Sequence, residues 1–140
     1  MKLKWICSVS IVIVGLLLIR AWTAQAESQP AAPKVRLVRA VMCELIDAYE
    51  PRHIAVAFSI ETGRISCFTS FDDIAEVTVV EHRWFRRDEL VTAKRLTIKP
   101  PSWDTYSSIQ LREADKGPWR VEVRQDDGLL LKTVRFSVTD

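Results

Sequence analysis

Three cysteines, two histidines, a few serines and two pairs of adjacent aspartates are the side chains of this 140-residue chain with chemistry to offer. Cys43 and Cys67 lie outside the apolar N-terminal stretch that holds Cys7. Two cysteines in a compartment that permits disulfides predict a Cys43–Cys67 bridge, which would close a loop of about 24 residues and stabilise a fold by roughly 3 kcal/mol. The plainer alternative is two buried, reduced thiols behaving as small hydrophobes. A structural zinc site needs a second close-spaced pair of ligands, and His53 and His82 do not provide one, so no metal is expected. His82 sits between Glu81 and Arg83 and shares a strand face with Trp84. General acid–base work would require an oriented partner in a pocket, so His82 is expected at the edge of the fold, hydrogen-bonded to backbone. His53, in Glu50-Pro-Arg-His53, reads as solvated. Ser107, Ser108 and Ser137 occupy no strand-to-helix elbow, and two scattered histidines make no triad. Asp72-Asp73 and Asp126-Asp127 fit turns better than a glycosidase pair or a calcium loop. The expectation is a protein without catalytic residues and without a cofactor.

Binding residues are the stronger candidates. Trp84, Trp103, Tyr106 and Trp119 could present an aromatic platform to a sugar or could fill a core. Trp84 and Trp119 share faces with apolar neighbours and fit the core, whereas Trp103 follows Pro100-Pro101 and is placed near a surface, as a binding residue or as a cap over one end of the fold. His82-Arg83 and Arg86-Arg87 form a local positive edge that could meet anionic lipid or an acidic partner, or could simply keep an edge strand from aggregating.

The elements that must position these residues are strands. No apolar spacing of helical period is sustained, while many short β-branched and aromatic runs are separated by turn signals. Trp119, Val121 and Val123 alternate with Arg120, Glu122 and Arg124, then Asp127-Gly128 turns the chain into alternating Thr133 to Val138. Glu76 to Phe85 and Leu90 to Ile98 flank Arg86-Arg-Asp-Glu89 as a second hairpin, with a β-bulge expected near Val79-Val80 because the alternation slips there. Val35 to Ile46, Arg64 to Phe71 and Thr105 to Leu111 add three more strands. About seven strands with short connections predict an all-β, antiparallel two-sheet sandwich of immunoglobulin-like or fibronectin-like type. The segment Asp47 to Gly63 could be an extra strand, a crossover or a short helix.

Ahead of the strands, Lys2 and Lys4 precede the apolar run Trp5 to Ile19, followed by Ala24-Gln25-Ala26. That is the layout of a signal peptide over residues 1–26, and fifteen apolar residues span roughly 22 Å against the roughly 30 Å of a bilayer core. An uncleaved anchor helix reaching through Arg20 to Trp22 is the alternative, and both place the rest outside the cytoplasm, periplasmic, extracellular or held at the inner membrane. Residues 27–33 read as a tether and 34–140 as the folded domain. The N-terminal segment also carries the chain's basic excess. Of 20 Lys+Arg and 18 Asp+Glu, three basic residues and no acidic one lie in residues 1–26, leaving the remainder near neutral and excluding a nucleic-acid role.

Arg39-Ala-Val, Glu50-Pro51, Gly63-Arg-Ile-Ser-Cys-Phe-Thr69, His82-Arg-Trp84, Trp103-Asp-Thr-Tyr-Ser-Ser108, Gly117-Pro-Trp-Arg-Val-Glu-Val123 and Asp127-Gly128 fall in one order along the chain. This set resembles the bacterial domain-of-unknown-function 2914 family over nearly all of the folded unit. The resemblance implies a small exported or membrane-attached β-rich module, with no assigned activity and no catalytic residues to carry over. The expected function is protein interaction or envelope structure, with a protein partner in the cell envelope. Glycan or peptidoglycan binding through Trp103 and Tyr106, and an accessory role in a membrane complex anchored through residues 1–22, are the alternatives.

Overall fold

The computed structural model describes residues 32–140; the signal or anchor expected over 1–26, and most of the tether, lie outside them. Nine strands form two facing sheets: β1 (Arg36–Asp47), β2 (Glu50–Ile54), β3 (Ala57–Ser59), β4 (Arg64–Asp72), β5 (Thr78–Arg86), β6 (Glu89–Ile98), β7 (Trp103–Gln110), β8 (Gly117–Gln125) and β9 (Leu130–Thr139). One sheet runs β2-β1-β4-β7 and the other β3-β9-β8-β5-β6. All pairings are antiparallel except β3 with β9, which is parallel. Among the described residues no helix is long and apolar enough to cross a membrane.

The seven expected strands are present, and the open segment from Asp47 to Gly63 supplies two more plus a single 3-10 turn, Ile60–Thr62. That turn is capped by the Ser59 hydroxyl, which accepts from the Glu61 amide, and it ends on Gly63 at φ 73. The bulge expected at Val79-Val80 is absent, because Val79 and Val80 pair in continuous register with Thr97 and Leu96. The register shift falls instead between Trp84 and Phe85, and the apparent slip in alternation arises because Val77 and Val79 do not point into the core. The β5–β6 hairpin turns on Arg87 and Asp88 at φ 47 and 66, both in the left-handed region that primed hairpin turns require. Arg87 also fixes its neighbour: its guanidinium lies over Gly117, φ 119, where an added Cβ would meet it at 3.1 Å.

Alternation decides what fills the space between the sheets. On β5, Val80, His82 and Trp84 point inward and are buried; on β8, Trp119, Val121, Val123 and Gln125 do the same. The larger apolar cluster centres on Phe136, whose ring stacks on Trp119 at 6.0 Å and meets Phe58 and Trp84 edge-on, both at 6.1 Å. A smaller cluster holds Val35, Phe71, Ile74, Val80, Ile98 and Val123.

The Cys43–Cys67 bridge is not made: both thiols are free and buried. The reason is register. Cys67 stands opposite Met42 on the neighbouring strand, and Cys43 opposite Ser66. Residues one step out of register project to opposite faces of a sheet, so Cys67 enters the core while Cys43 lies on the outer face of the four-stranded sheet, and the two sulfurs cannot reach bonding distance. Burial pushes the Cys43 thiol up to about 11 and raises Cys67 as well, so both stay protonated and unreactive in the fold. Alkylation in denaturant without reductant should label both cysteines in freshly prepared protein. Recovery of a Cys43–Cys67 linked peptide pair by mass spectrometry would contradict this.

Candidate functional site

Two places in the sandwich concentrate polar chemistry: a buried belt between the sheets and an open groove along one side. The belt begins at His82, which is wholly buried midway along β5. Its Nδ1 lies 2.8 Å from Ser107 Oγ and its Nε2 lies 3.1 Å from Thr69 Oγ1, so a side chain of one sheet bonds to two strands of the other. Trp84 Nε1 donates to Ser107 Oγ at 3.0 Å, and Thr69 Oγ1 donates to the Thr105 carbonyl at 3.3 Å.

These two outer bonds assign the protons. Thr69 spends its hydrogen on Thr105, so its oxygen accepts from His82 Nε2–H; a neutral imidazole then has a bare Nδ1, which accepts from the Ser107 hydroxyl. The chain runs in one direction, from Trp84 N–H through Ser107, His82 and Thr69 to the Thr105 carbonyl. Each belt donor has an acceptor, and no buried side-chain nitrogen or oxygen among the described residues lacks a partner. Burial lowers the His82 pKa from 6.5 to about 4, so the imidazole is neutral at pH 7. His82 is therefore at the centre of the sandwich and bonded to side chains, not at an edge and bonded to backbone. Fully buried and fully bonded, it is a structural crosslink with no face left for a substrate.

The other residues singled out in the sequence do not converge. Trp84 is buried in the core beside Phe136. Trp103 opens β7 opposite Phe71, 37% exposed, with Lys99 Nζ 5.4 Å from its ring. Tyr106, three residues on, pairs with Phe68 and is 44% exposed. Positions three apart in a strand face opposite sides, so Trp103 and Tyr106 form no single aromatic platform. Arg86 Nη1 donates to the Ala114 carbonyl and to Asp115 at 3.2 Å, while Arg87 covers Gly117. His53 Nδ1 lies 2.8 Å from Glu44 on the exposed edge of β2. Among the described residues no group of three or more His, Cys, Asp or Glu is placed to hold a metal ion.

The groove was not visible in the sequence. Strands β6 and β7 are the free edges of their respective sheets, and between them lies a cleft of about 400 Å³. Val91, Thr92 and Lys94 of β6 form one wall, and Ser108, Ile109 and Gln110 of β7 the other. Buried Trp119 lines it, and Arg112 and Asp115 also border it. Leu90 and Val91, 51% and 52% exposed, lie at the start of the free β6 edge. Thr69 and Ser107, the partners of His82, carried a fainter signal: each is polar at an inward position of its strand, Thr69 in step with Cys67 and Phe71.

The belt predicts a pH dependence with a definite sign. Unfolded, the imidazole takes a proton near 6.5; folded, only near 4. Stability is thus full above about pH 6.5, falls as pH drops toward about 4, and loses roughly 3 kcal/mol across that window. Denaturant titrations from pH 7.5 to 4 should show this slope, and His82→Gln, which cannot titrate, should lose this part of it. An unchanged slope in the variant would exclude His82 as the cause.

No curated protein matches the chain. The motifs between Arg39 and Thr69 precede the stretch covered by a family match, which runs from β5 to β9 and includes every residue of the groove. Residues 77–138 match the model of the family described as Protein of unknown function (DUF2914), the family that the sequence motifs resemble.

Proposed function

We propose that this protein is a non-catalytic, exported β-sandwich module of immunoglobulin-like type that binds an extended segment of a protein partner in the cell envelope along the β6 edge. The observation that carries the reading is the groove: a long unpaired strand edge beside a cleft of mixed lining in which Val91, Ile109 and Trp119 are the apolar members. An extended chain adding to such an edge gains main-chain hydrogen bonds, and alternate side chains of that chain drop into the cleft. Edge strands left open and unprotected aggregate, and β6 offers Lys94 and Arg95 as its guard against self-pairing without covering Leu90 and Val91. The immunoglobulin-like type is supported by strand order. Taking β1, β4 and β7 as A, B and E, and β5, β8 and β9 as C, F and G, both sheets follow that order, and Trp84 occupies the strand C position of the buried tryptophan. Cys67 then sits on strand B, where its partner would come from β8, and β8 offers Val121 and Val123 instead.

The export half of the reading rests on the basic, apolar and small-residue pattern of residues 1–26. Its test is intact mass of material recovered from the envelope, with cleavage after Ala26 expected. For the binding half, a photo-crosslinking residue placed at Val91 should yield a discrete protein adduct in living cells, whereas the same residue at Tyr106 should not. Val91→Lys, an exposed change expected to alter stability by no more than about 0.5 kcal/mol, should abolish an adduct formed from Lys94. Adducts from position 106 alone would move the partner to the outer face of the four-stranded sheet and overturn the groove.

A further inference from the structure

The outer face of the five-stranded sheet carries an arrangement that neither the groove nor the core explains. Its outward residues form cross-strand rows. One row is Arg135, Arg120, Phe85 and Leu90; the next is Thr133, Glu122, Arg83 and Ala93; the third is Leu130, Arg124, Glu81 and Arg95. Five arginines therefore stand on this face against two glutamates, whereas the other charged residues of 27–140 are 12 basic against 16 acidic.

The depth of the charges matters more than their count. Glu81 and Glu122 are the most covered, their side chains 16% and 13% exposed, and each lies among arginines: Arg83 at 2.5 Å and Arg95 at 3.8 Å for Glu81, Arg124 at 2.7 Å and Arg120 at 3.4 Å for Glu122. Arg120 also lies over the Phe85 ring at 4.1 Å. Arg83 and Arg95 reach outward, 40% and 67% exposed, and Arg135 is exposed with no ion pair among the described residues. The two glutamates thus hold guanidinium groups in place from below, and apart from Asp88, which pairs with Arg120 from the β5–β6 turn and is 91% exposed, the layer that meets solvent is positive. At diagonal corners of the field lie two aliphatic side chains, Leu90 on β6 and Leu130 on β9, 51% and 44% exposed.

We propose that this face docks on an anionic phospholipid bilayer, with the arginines on lipid phosphates and Leu90 and Leu130 entering the headgroup layer. A guanidinium pairs a phosphate through two parallel hydrogen bonds. The field spans four adjacent strands at about 4.8 Å each, so it is a plane rather than a line. An extended acidic segment would cover one row; a bilayer covers all of them and also accepts the exposed leucines, which an acidic chain in water does not.

The test is co-sedimentation of the full chain with vesicles of phosphatidylglycerol and phosphatidylcholine mixed, against phosphatidylcholine alone, at matched salt. Binding should be stronger on the anionic vesicles and should fall with added salt. R95Q/R135Q, which removes two exposed cations, should weaken the anionic part roughly thirtyfold. R52Q/R64Q, the same charge change on the opposite sheet, should leave it within about twofold, and R95K/R135K should retain most of it. Thermal melts of each variant establish that the fold is intact. Equal binding to both vesicle types, equal loss in the two glutamine variants, or binding of soluble polyglutamate as tight as that of anionic vesicles would each overturn the proposal, the last in favour of an acidic protein partner.

Discussion

One imidazole held between two sheets is the constraint around which this sandwich is arranged. Two β-sheets packed face to face are joined mainly by side-chain burial, which is non-directional and leaves their relative slide weakly specified. His82 removes that freedom. Its two nitrogens bond Ser107 and Thr69 on different strands of the opposite sheet, and a shift of one residue in either sheet would leave buried polar groups unpaired, at roughly 1–3 kcal/mol apiece. Thr69 sits in step between Cys67 and Phe71, and His82 between Trp84 and Val80. The belt therefore divides the core into its two apolar clusters, one around Phe136 and one around Phe71. A single ring can hold this position only while it is neutral, which its burial ensures at pH 7.

Closing the core in this way leaves the polar and unpaired features on the outside, sorted by surface. The side opposite β3 has two edge strands, β6 and β7, one from each sheet, with a cleft between them. The outer face of the five-stranded sheet has the arginine rows with their carboxylates beneath. The outer face of the four-stranded sheet is mixed, with Phe68 buried under Arg39 at 5.8 Å and Tyr106 beside it. The cleft lining and the arginine rows have no residue in common, and they meet at Leu90 on the β6 edge. The groove and the arginine face share β6, whose two sides serve one each.

The strands were legible because their pattern is local. Trp119 to Val123 alternates within five residues, and an alternating run has one comfortable arrangement, apolar side in. The hairpin turn at Asp127-Gly128 was legible for the same reason, since Gly128 at φ 89 is a conformation that glycine takes readily. What resisted reading was everything set by pairing. Cys43 and Cys67 look equivalent in the sequence, yet register puts their sulfurs on opposite faces. Trp103 and Tyr106 look like one cluster and are divided by the same period-two geometry. Val79 and Val80 suggested a bulge because both are apolar, and only the neighbours of Val79 make it an outward residue.

The all-β class, most strand boundaries and the near-neutral charge of the folded part follow from the amino-acid order, because composition and short-range alternation act within a few residues. That order also carried the motifs of a family whose match spans residues 77–138. Tertiary structure alone decided that His82 is a crosslink, that the cysteines stay apart, and that β6 and β7 enclose a groove. Each of these depends on which strands lie side by side and in what register, and that is settled by the joint packing of residues far apart in the chain, such as Thr69, His82 and Ser107.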